Sequence, residues 1–200
     1  MAQKITAEEF YAMITENPSV FKHWNTPLEI TEFVKCDRSP ITHLSKHLSF
    51  SGKNEDGRVA EFTHCPDLKI ATGTFKGGVR FSYSGIEKIE NLRITKASKY
   101  GNSVSFSNCK SLKIATGTYP GKVTFLHSGI HSIQNLHVET PNTNGNYGNF
   151  QKCPNLQTLE GWDLSKPIWI EPEKLASEKK RRAALQKFWK ENQIEELPFL

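Results

Sequence analysis

The stretch CPDLKIATGTF at residues 65–75 returns almost unchanged as CKSLKIATGTY at residues 109–119, 44 residues later. A third and more diverged copy, CPNLQTLEG, begins at Cys153, a further 44 residues along the chain. A fixed period of this length is typical of repeat proteins, in which each unit buries its apolar face against the next. The repeat therefore predicts a stack of similar units.

Phenylalanines mark the two halves of each repeat. They stand at positions 62, 81, 106, 125 and 150, in alternating steps of 19 and 25 residues. A cysteine or a serine follows three positions after each of them, and Phe33 with Cys36 has the same spacing. We expect the phenylalanines to stack as one buried ladder, and the four cysteines to share one repeat position as small buried thiols.

A second regular feature is an apolar-x-apolar triplet in each half-repeat. The triplets begin at Leu48, Leu68, Leu92, Leu112, Leu136 and Leu156, in alternating steps of 20 and 24 residues. Alternation over three residues between glycine-rich stretches predicts a short strand whose outer side chains point inward. We therefore expect a right-handed β-solenoid of alternating 20- and 24-residue coils with one parallel sheet along one side, and apolar pairs such as Val79 and Phe81 forming another wall. The longer coils are expected to carry an extra helical or 3₁₀ turn in SGIEKIEN and SGIHSIQN.

The spacing F-x-x-C-x-x-L begins at Phe62, Phe106 and Phe150. Over roughly residues 33–160 this pattern resembles the BspA-type leucine-rich repeats of bacterial proteins. The resemblance implies a non-catalytic binding or adhesion module that acts through a recognition surface. The chain departs from the pattern because its repeat lengths alternate and because no asparagine ladder follows the strands. A more general β-solenoid is therefore the alternative.

Three regions are expected along the chain, because the ends of a repeat stack need caps. Residues 1–27 form an N-terminal helical cap, since Thr6 and Glu9 have the spacing of a capping box. Residues 28–160 form the repeat solenoid, and the pattern at Leu28 favours a strand over a helix start. Residues 161–200 form a C-terminal capping segment with a helix after Pro172.

Motifs and composition argue against several classes of function. No apolar run approaches 18 residues, and acidic side chains stand where a signal peptide has its apolar core, so we expect a cytoplasmic protein with no membrane partner. An effector exported without a cleavable signal would have the same features. The cysteines form no C-x-x-C pair, and no fingerprint of a catalytic or cofactor site occurs. We expect no metal, no cofactor and no catalytic residue, and a small β-helix enzyme is a less favoured alternative.

The candidate binding residues come from the middle of each triplet. If the outer residues of the triplets point inward, the middle ones point outward and stack about 4.8 Å apart. This column consists of Ser49, Lys69, Arg93, Lys113, His137 and Gln157. Its basic members, Lys69, Arg93, Lys113 and His137, are the predicted binding site.

We predict that this sheet face recognises a protein partner. Binding of an anionic polymer, either nucleic acid or an acidic glycan, is the alternative, in keeping with the net charge of +5. No aromatic side chain alternates with the cations, which disfavours single-stranded nucleic acid. A column of solvated side chains with no binding role also fits the pattern.

Overall fold

The structure is a computed structural model that describes residues 2–160 and 162–191. Its elements in chain order are β1 Gln3–Ile5, α1 Ala7–Glu16, a 3₁₀ helix Val20–His23, β2 Leu28–Ile30, β3 Val34–Asp37, β4 Leu48–Phe50, β5 Arg58–Thr63, β6 Ile70–Phe75, β7 Gly78–Arg80, β8 Lys88–Ile94, β9 Asn102–Ser105, β10 Ile114–Tyr119, β11 Lys122–Thr124, β12 Ser132–Val138, β13 Gly148–Asn149, β14 Ile168–Trp169 and α2 Pro172–Glu191. Residues 161 and 192–200 of the expected C-terminal region lie outside the described residues. Neither described α-helix is both long and apolar enough to cross a membrane.

From β2 to β13, successive strands alternate between two walls of parallel sheet. On one wall β1, β2, β4, β6 and β8 form a five-stranded sheet, and β10 pairs with β12. On the other wall the strands β3, β5, β7, β9, β11, β13 and β14 form a seven-stranded sheet. All of these strand pairs are parallel. The expectation of one sheet along one side is therefore wrong, because the second wall is a parallel sheet as well.

The phenylalanine ladder is confirmed. Phe62, Phe81, Phe106, Phe125 and Phe150 are fully buried. Successive rings are nearly parallel, with centroids 5.4–5.6 Å apart, which is the spacing of favourable stacked aromatic pairs. The stacked rings thus form a continuous apolar core along the repeats.

In the wall that contains β6, β8, β10 and β12, the strand register differs from the prediction. Gly73 pairs with Leu92 and Phe75 pairs with Ile94, so the partner of the triplet LRI is GTF and not LKI. The same pairing recurs 44 residues later. The leucines of both LKI triplets are buried but precede their strands, and Ile114 is 40% exposed. Half-repeats on this wall therefore follow the 19- and 25-residue alternation of the phenylalanine ladder.

The residues that lengthen every second half-repeat lie in loops between the walls. The short connections are tight turns at 76–77 and 120–121, whereas the long ones span 95–101 and 139–147. The expected helical turns in SGIEKIEN and SGIHSIQN are absent from these described segments, which instead lead into β8 and β12. The residues that lengthen every second half-repeat therefore lie at the edge of the stack where the chain crosses to the seven-stranded sheet.

The small residues that follow the phenylalanines have a hydrogen-bonding role. Cys109 Sγ donates to the carbonyl oxygen of Phe81 at 3.0 Å, and Cys153 and Ser84 make the same contact with the preceding phenylalanine of the ladder. A thiol or a hydroxyl fits this position because it is small and donates to a buried carbonyl. Cys36 was expected at the same position, but it pairs with Phe62 in the register and so stands at a ladder position. All four cysteines are buried and free.

The N-terminal segment contains the predicted capping box. Thr6 Oγ1 accepts from the N–H of Glu9 at 3.1 Å, and Glu9 Oε2 accepts from the N–H of Thr6 at 2.7 Å. The favoured strand at Leu28 is confirmed as β2. Only helix was expected before it, but β1 also lies there and pairs with β2. From α1, the ring of Phe10 packs against the edge of the Phe62 ring.

The predicted C-terminal helix is confirmed as α2, and it contacts the connection between β13 and β14 through polar groups. Arg182 Nη2 donates to the carbonyl oxygens of Leu159 and Trp162, at 2.6 and 2.8 Å. Glu178 is 4% exposed and accepts hydrogen bonds from Arg181 and Arg182. Burial raises the pKa of Glu178, but the hydrogen bonds from the two arginines outweigh it and leave the pKa below its usual range.

Candidate functional site

The four predicted binding residues do not form one column. They are Lys69, Arg93, Lys113 and His137. Arg93 lies opposite Thr74, and His137 lies opposite Thr118. Lys69 and Lys113 precede the strands β6 and β10, and the ammonium group of Lys69 pairs with Glu87 at 3.4 Å. The predicted stacking of three cations is therefore wrong, because it depended on the LKI triplets being paired in the sheet.

The column that does run along the five-stranded sheet is chemically mixed. Its members in register are Lys4, Glu29, Ser49, Thr74 and Arg93. Lys76 Nζ donates to Glu29 Oε1 at 2.7 Å, and this bond, together with one from Ser51, holds the pKa of Glu29 below its usual range. Two basic side chains, one acidic side chain and two hydroxyl groups share this column, so this face is not a basic stripe.

A second column lies at the corner where the chain leaves the seven-stranded sheet. We call it the corner column, and it consists of Arg38, His64, Tyr83, Asn108, His127 and Lys152. All six residues have left-handed backbone conformations, with φ between 53° and 62°. Backbone hydrogen bonds link each member to the next one along the column. In the five members from Arg38 to His127, the backbone N–H donates to the carbonyl oxygen of the residue just before the next member, at 2.8–3.0 Å. The corners therefore stack in register with the ladder.

The residue types in the corner column are not the ones that its backbone favours. Glycine and asparagine adopt the left-handed conformation most readily, and other residues in it cost about 1–3 kcal/mol each. Only Asn108 is of a favoured type, although histidine is also tolerated better than most. The other positions carry long or aromatic side chains, and Tyr83 is 53% exposed. Burial does not account for a tyrosine at this exposed position.

Two neighbouring members of the corner column form a surface cluster. The rings of His64 and Tyr83 stack with centroids 4.7 Å apart. His64 Nδ1 lies 3.0 Å from Asp37 Oδ1, to which Thr63 Oγ1 donates at 2.8 Å. The bond with His64, supported by that from Thr63, holds the pKa of Asp37 below its usual range. The cluster thus presents an aromatic stack beside a carboxylate that is already hydrogen-bonded.

The outer face of the seven-stranded sheet carries a cleft of about 210 Å³ lined by Arg58, Arg80 and Tyr100. The two arginines already have partners. Arg58 bonds Asp56 and Glu61, and Arg80 lies 3.4 Å from Glu61. Glu61 is only 8% exposed and contacts both guanidinium groups, so each arginine of the cleft already has a carboxylate partner.

A cysteine, a histidine and a glutamate line one cavity near the start of α2, but the cysteine is not an activated nucleophile. Cys153 is fully buried, and its Sγ donates to the carbonyl of Phe125 at 2.8 Å. Burial raises its pKa, whereas a reactive thiol needs a lowered one. The described residues also contain no cluster of histidine, cysteine and acidic side chains that could hold a metal ion.

The corner column has a signal in the sequence that the triplet pattern did not reveal. Its members stand two positions after each ladder residue, in the segment between phenylalanine and the following cysteine or serine. The segments THC, SYS, SNC, LHS and QKC all end in cysteine or serine and, apart from Leu126, begin with a polar residue, but they vary in the middle. Comparison of the chain with protein-family models, with curated proteins and with solved structures gives no match.

Proposed function

We propose that the two walls form a right-handed β-solenoid of the leucine-rich-repeat kind, with α1 and α2 as helical caps at its ends. The alternation of strands between the walls and the shared 44-residue period support this proposal. The contact of Phe10 with Phe62, the first ring of the ladder, supports α1 as a cap, and the bonds from Arg182 to the carbonyls of Leu159 and Trp162, in the connection between the last two strands, support α2. The F-x-x-C-x-x-L spacing is the support for a relation to the BspA-type repeats.

We further propose that the protein is a non-catalytic binding module that recognises a protein partner through the corner column. The observation that carries this proposal is the set of large, exposed side chains on left-handed backbone, where asparagine would cost less. Selection for stability alone would favour asparagine or glycine at each corner. Side chains kept at a cost to stability are typical of residues that serve binding.

The chemistry of the column favours a protein over an anionic polymer. Tyrosine and arginine are enriched at protein–protein interfaces, and both occur in its first half as Tyr83 and Arg38. The carboxylate of Asp37 lies within the same cluster and would repel a polyanion. An anionic polymer is the second candidate, because lysines gather at the other end, around Lys152.

Asparagine variants test the proposal without disturbing the fold. The triple variant Arg38→Asn, His64→Asn and Tyr83→Asn places at three corners the residue that the chain already has at Asn108. We expect its thermal midpoint to be equal to or above that of the wild type, because strain is relieved and only exposed contacts are lost. Partner capture from the source cell, or from its medium, should be lost.

A matched control places asparagine on the opposite edge of the stack, at the exposed loop positions Lys53, Lys96 and Thr143. This control should retain every partner that the wild type captures, identified by mass spectrometry and then measured with the purified partner. If the corner variant retains the same partners at the same affinity, the corner column has no binding role. If nucleic acid is recovered instead, with an affinity that falls steeply with salt, the second candidate is favoured.

A further inference from the structure

A cavity of about 420 Å³ opens at the C-terminal end of the corner column, beside the start of α2. Its polar lining consists of Lys110, His127, Lys152, Glu171 and Lys174. We propose that this corner cavity binds a phosphate monoester, whose phosphate contacts the lysine ammonium groups while a donor next to it bonds Glu171. The proposal goes beyond recognition of a protein partner and does not depend on it.

The charge of the corner cavity matches a dianion. Within residues 2–160 and 162–191, none of the three lysines, Lys110, Lys152 and Lys174, forms an ion pair. Three ammonium groups therefore face one carboxylate, that of Glu171, which leaves an excess of two positive charges. A phosphate monoester carries a charge of about −1.5 to −2 at neutral pH. A carboxylate ligand would neutralise only half of the excess.

Two of the ammonium groups are held in place by backbone carbonyls. Lys110 Nζ donates to the carbonyl oxygen of His127, and Lys174 Nζ donates to that of Cys153, both at 2.5 Å. His127 and Cys153 belong to neighbouring corners, which are about 4.8 Å apart in a stack of parallel strands. Each ammonium group has three donors and uses one of them here. Both ammonium groups therefore keep further donors for the oxygens of a phosphate.

Glu171 adds a requirement for a hydrogen-bond donor on the ligand. Its Oε1 accepts from the N–H of Lys152 at 2.5 Å, whereas its Oε2 is buried and has no partner. Buried carboxylate oxygens without a partner are uncommon in folded proteins. A phosphate dianion has no proton to donate, so the donor must be an N–H or O–H group next to the phosphate. A phosphoserine residue and a small hydroxylated phosphate ester both meet this requirement.

Calorimetric titration with three probes tests the proposal. The probes are inorganic phosphate, free O-phosphoserine and a phosphoserine peptide with blocked ends. We expect saturable binding of all three, with both phosphoserine probes tighter than inorganic phosphate because they satisfy Glu171. Tighter binding of the peptide would identify a phosphorylated protein segment as the source, and tighter binding of the free compound would identify a small metabolite.

Variants of the cavity give the sharper test. The double variant Lys110→Gln and Lys174→Gln should weaken all three probes roughly tenfold or more, since two charge-assisted bonds are lost. The control variant Lys53→Gln and Lys96→Gln, in loops on the opposite edge, should bind as the wild type does. A melting curve of each variant confirms folding.

Glu171→Gln should change both the affinity for inorganic phosphate and the preference between the probes. It removes the negative charge, so inorganic phosphate should bind more tightly, while the preference for the phosphoserine probes should shrink because the amide no longer accepts at that side. The proposal is overturned if the wild type binds none of the probes saturably, or if the folded double lysine variant binds them as tightly as the wild type.

Discussion

The phenylalanine ladder makes the most direct prediction about stability, at its central ring. The side chain of Phe106 is fully buried, and it stacks on Phe81 and on Phe125 at a centroid distance of 5.4 Å in each case. Phe106→Ala therefore removes one ring from between two others. Truncation of a buried phenylalanine costs about 3–5 kcal/mol, and the loss is larger where neighbours cannot move into the cavity.

We expect a value near the upper end of that range for Phe106→Ala. Both neighbouring rings are themselves held by the next members of the ladder, so neither can move into the space without breaking a second stack. A loss of this size is a large part of the total stability of a typical domain, which is about 5–15 kcal/mol. The variant should therefore unfold at a much lower urea concentration.

Equilibrium unfolding in urea, followed by circular dichroism, measures the effect. Tyr100→Ala is the matched control, because this aromatic side chain is 46% exposed, and an exposed substitution of this kind changes stability by about 0.5 kcal/mol or less. A loss below about 1 kcal/mol for Phe106→Ala, with an unchanged dependence on urea, would refute the continuous ladder.

Two further predictions concern the small residues around the ladder. Burial raises the pKa of Cys109 from 9.0 to about 12, so the neutral thiol stabilises the fold fully below pH 9 and progressively less as the pH rises towards 12. Melting curves at alkaline pH should therefore show a smaller loss of stability for Cys109→Ser than for the wild type. In the native wild type, the thiol of Cys109 should react with a thiol reagent only on unfolding, and rapid labelling at pH 8 would contradict this. A Cβ on Gly129 would lie 1.9 Å from the carbonyl oxygen of Lys110, whereas one on Gly145 meets nothing within 4 Å. Gly129→Ala should therefore be clearly less stable in urea than Gly145→Ala, in which the only strain comes from the φ of 77°. Equal unfolding midpoints would argue against the close approach of Gly129 to the carbonyl of Lys110.

The periodic features of the fold were predictable from the residues alone. The phenylalanine steps of 19 and 25 define the ladder, because large apolar side chains at a fixed interval can be buried only if successive units stack in register. The capping box of Thr6 and Glu9 and the strand at Leu28 are likewise local, since their signals lie within a few residues of each other. These predictions depend on spacing and side-chain type, which the sequence states directly.

The pairing of the opposite wall depended on contacts between distant residues. The triplets LKI and LRI look equivalent, but the register shifts between Ala71 and Gly73, and Asn91, with a φ of 49°, lies at the shift in the partner strand. A shift of this kind changes which side chains face outward, so Arg93 lies opposite Thr74 and the expected basic column is lost.

The corner column and the corner cavity also required the folded chain. Successive members of the corner column are separated by 19–26 positions in sequence and meet only because the corners stack. Lys174 reaches the cavity from α2, which no repeat pattern connects to Lys110. Local spacing in the sequence thus determines the repeat units of this protein. The packing of one unit on the next determines which side chains meet on the surface, because exposed positions do not follow the apolar periodicity that can be read from the sequence.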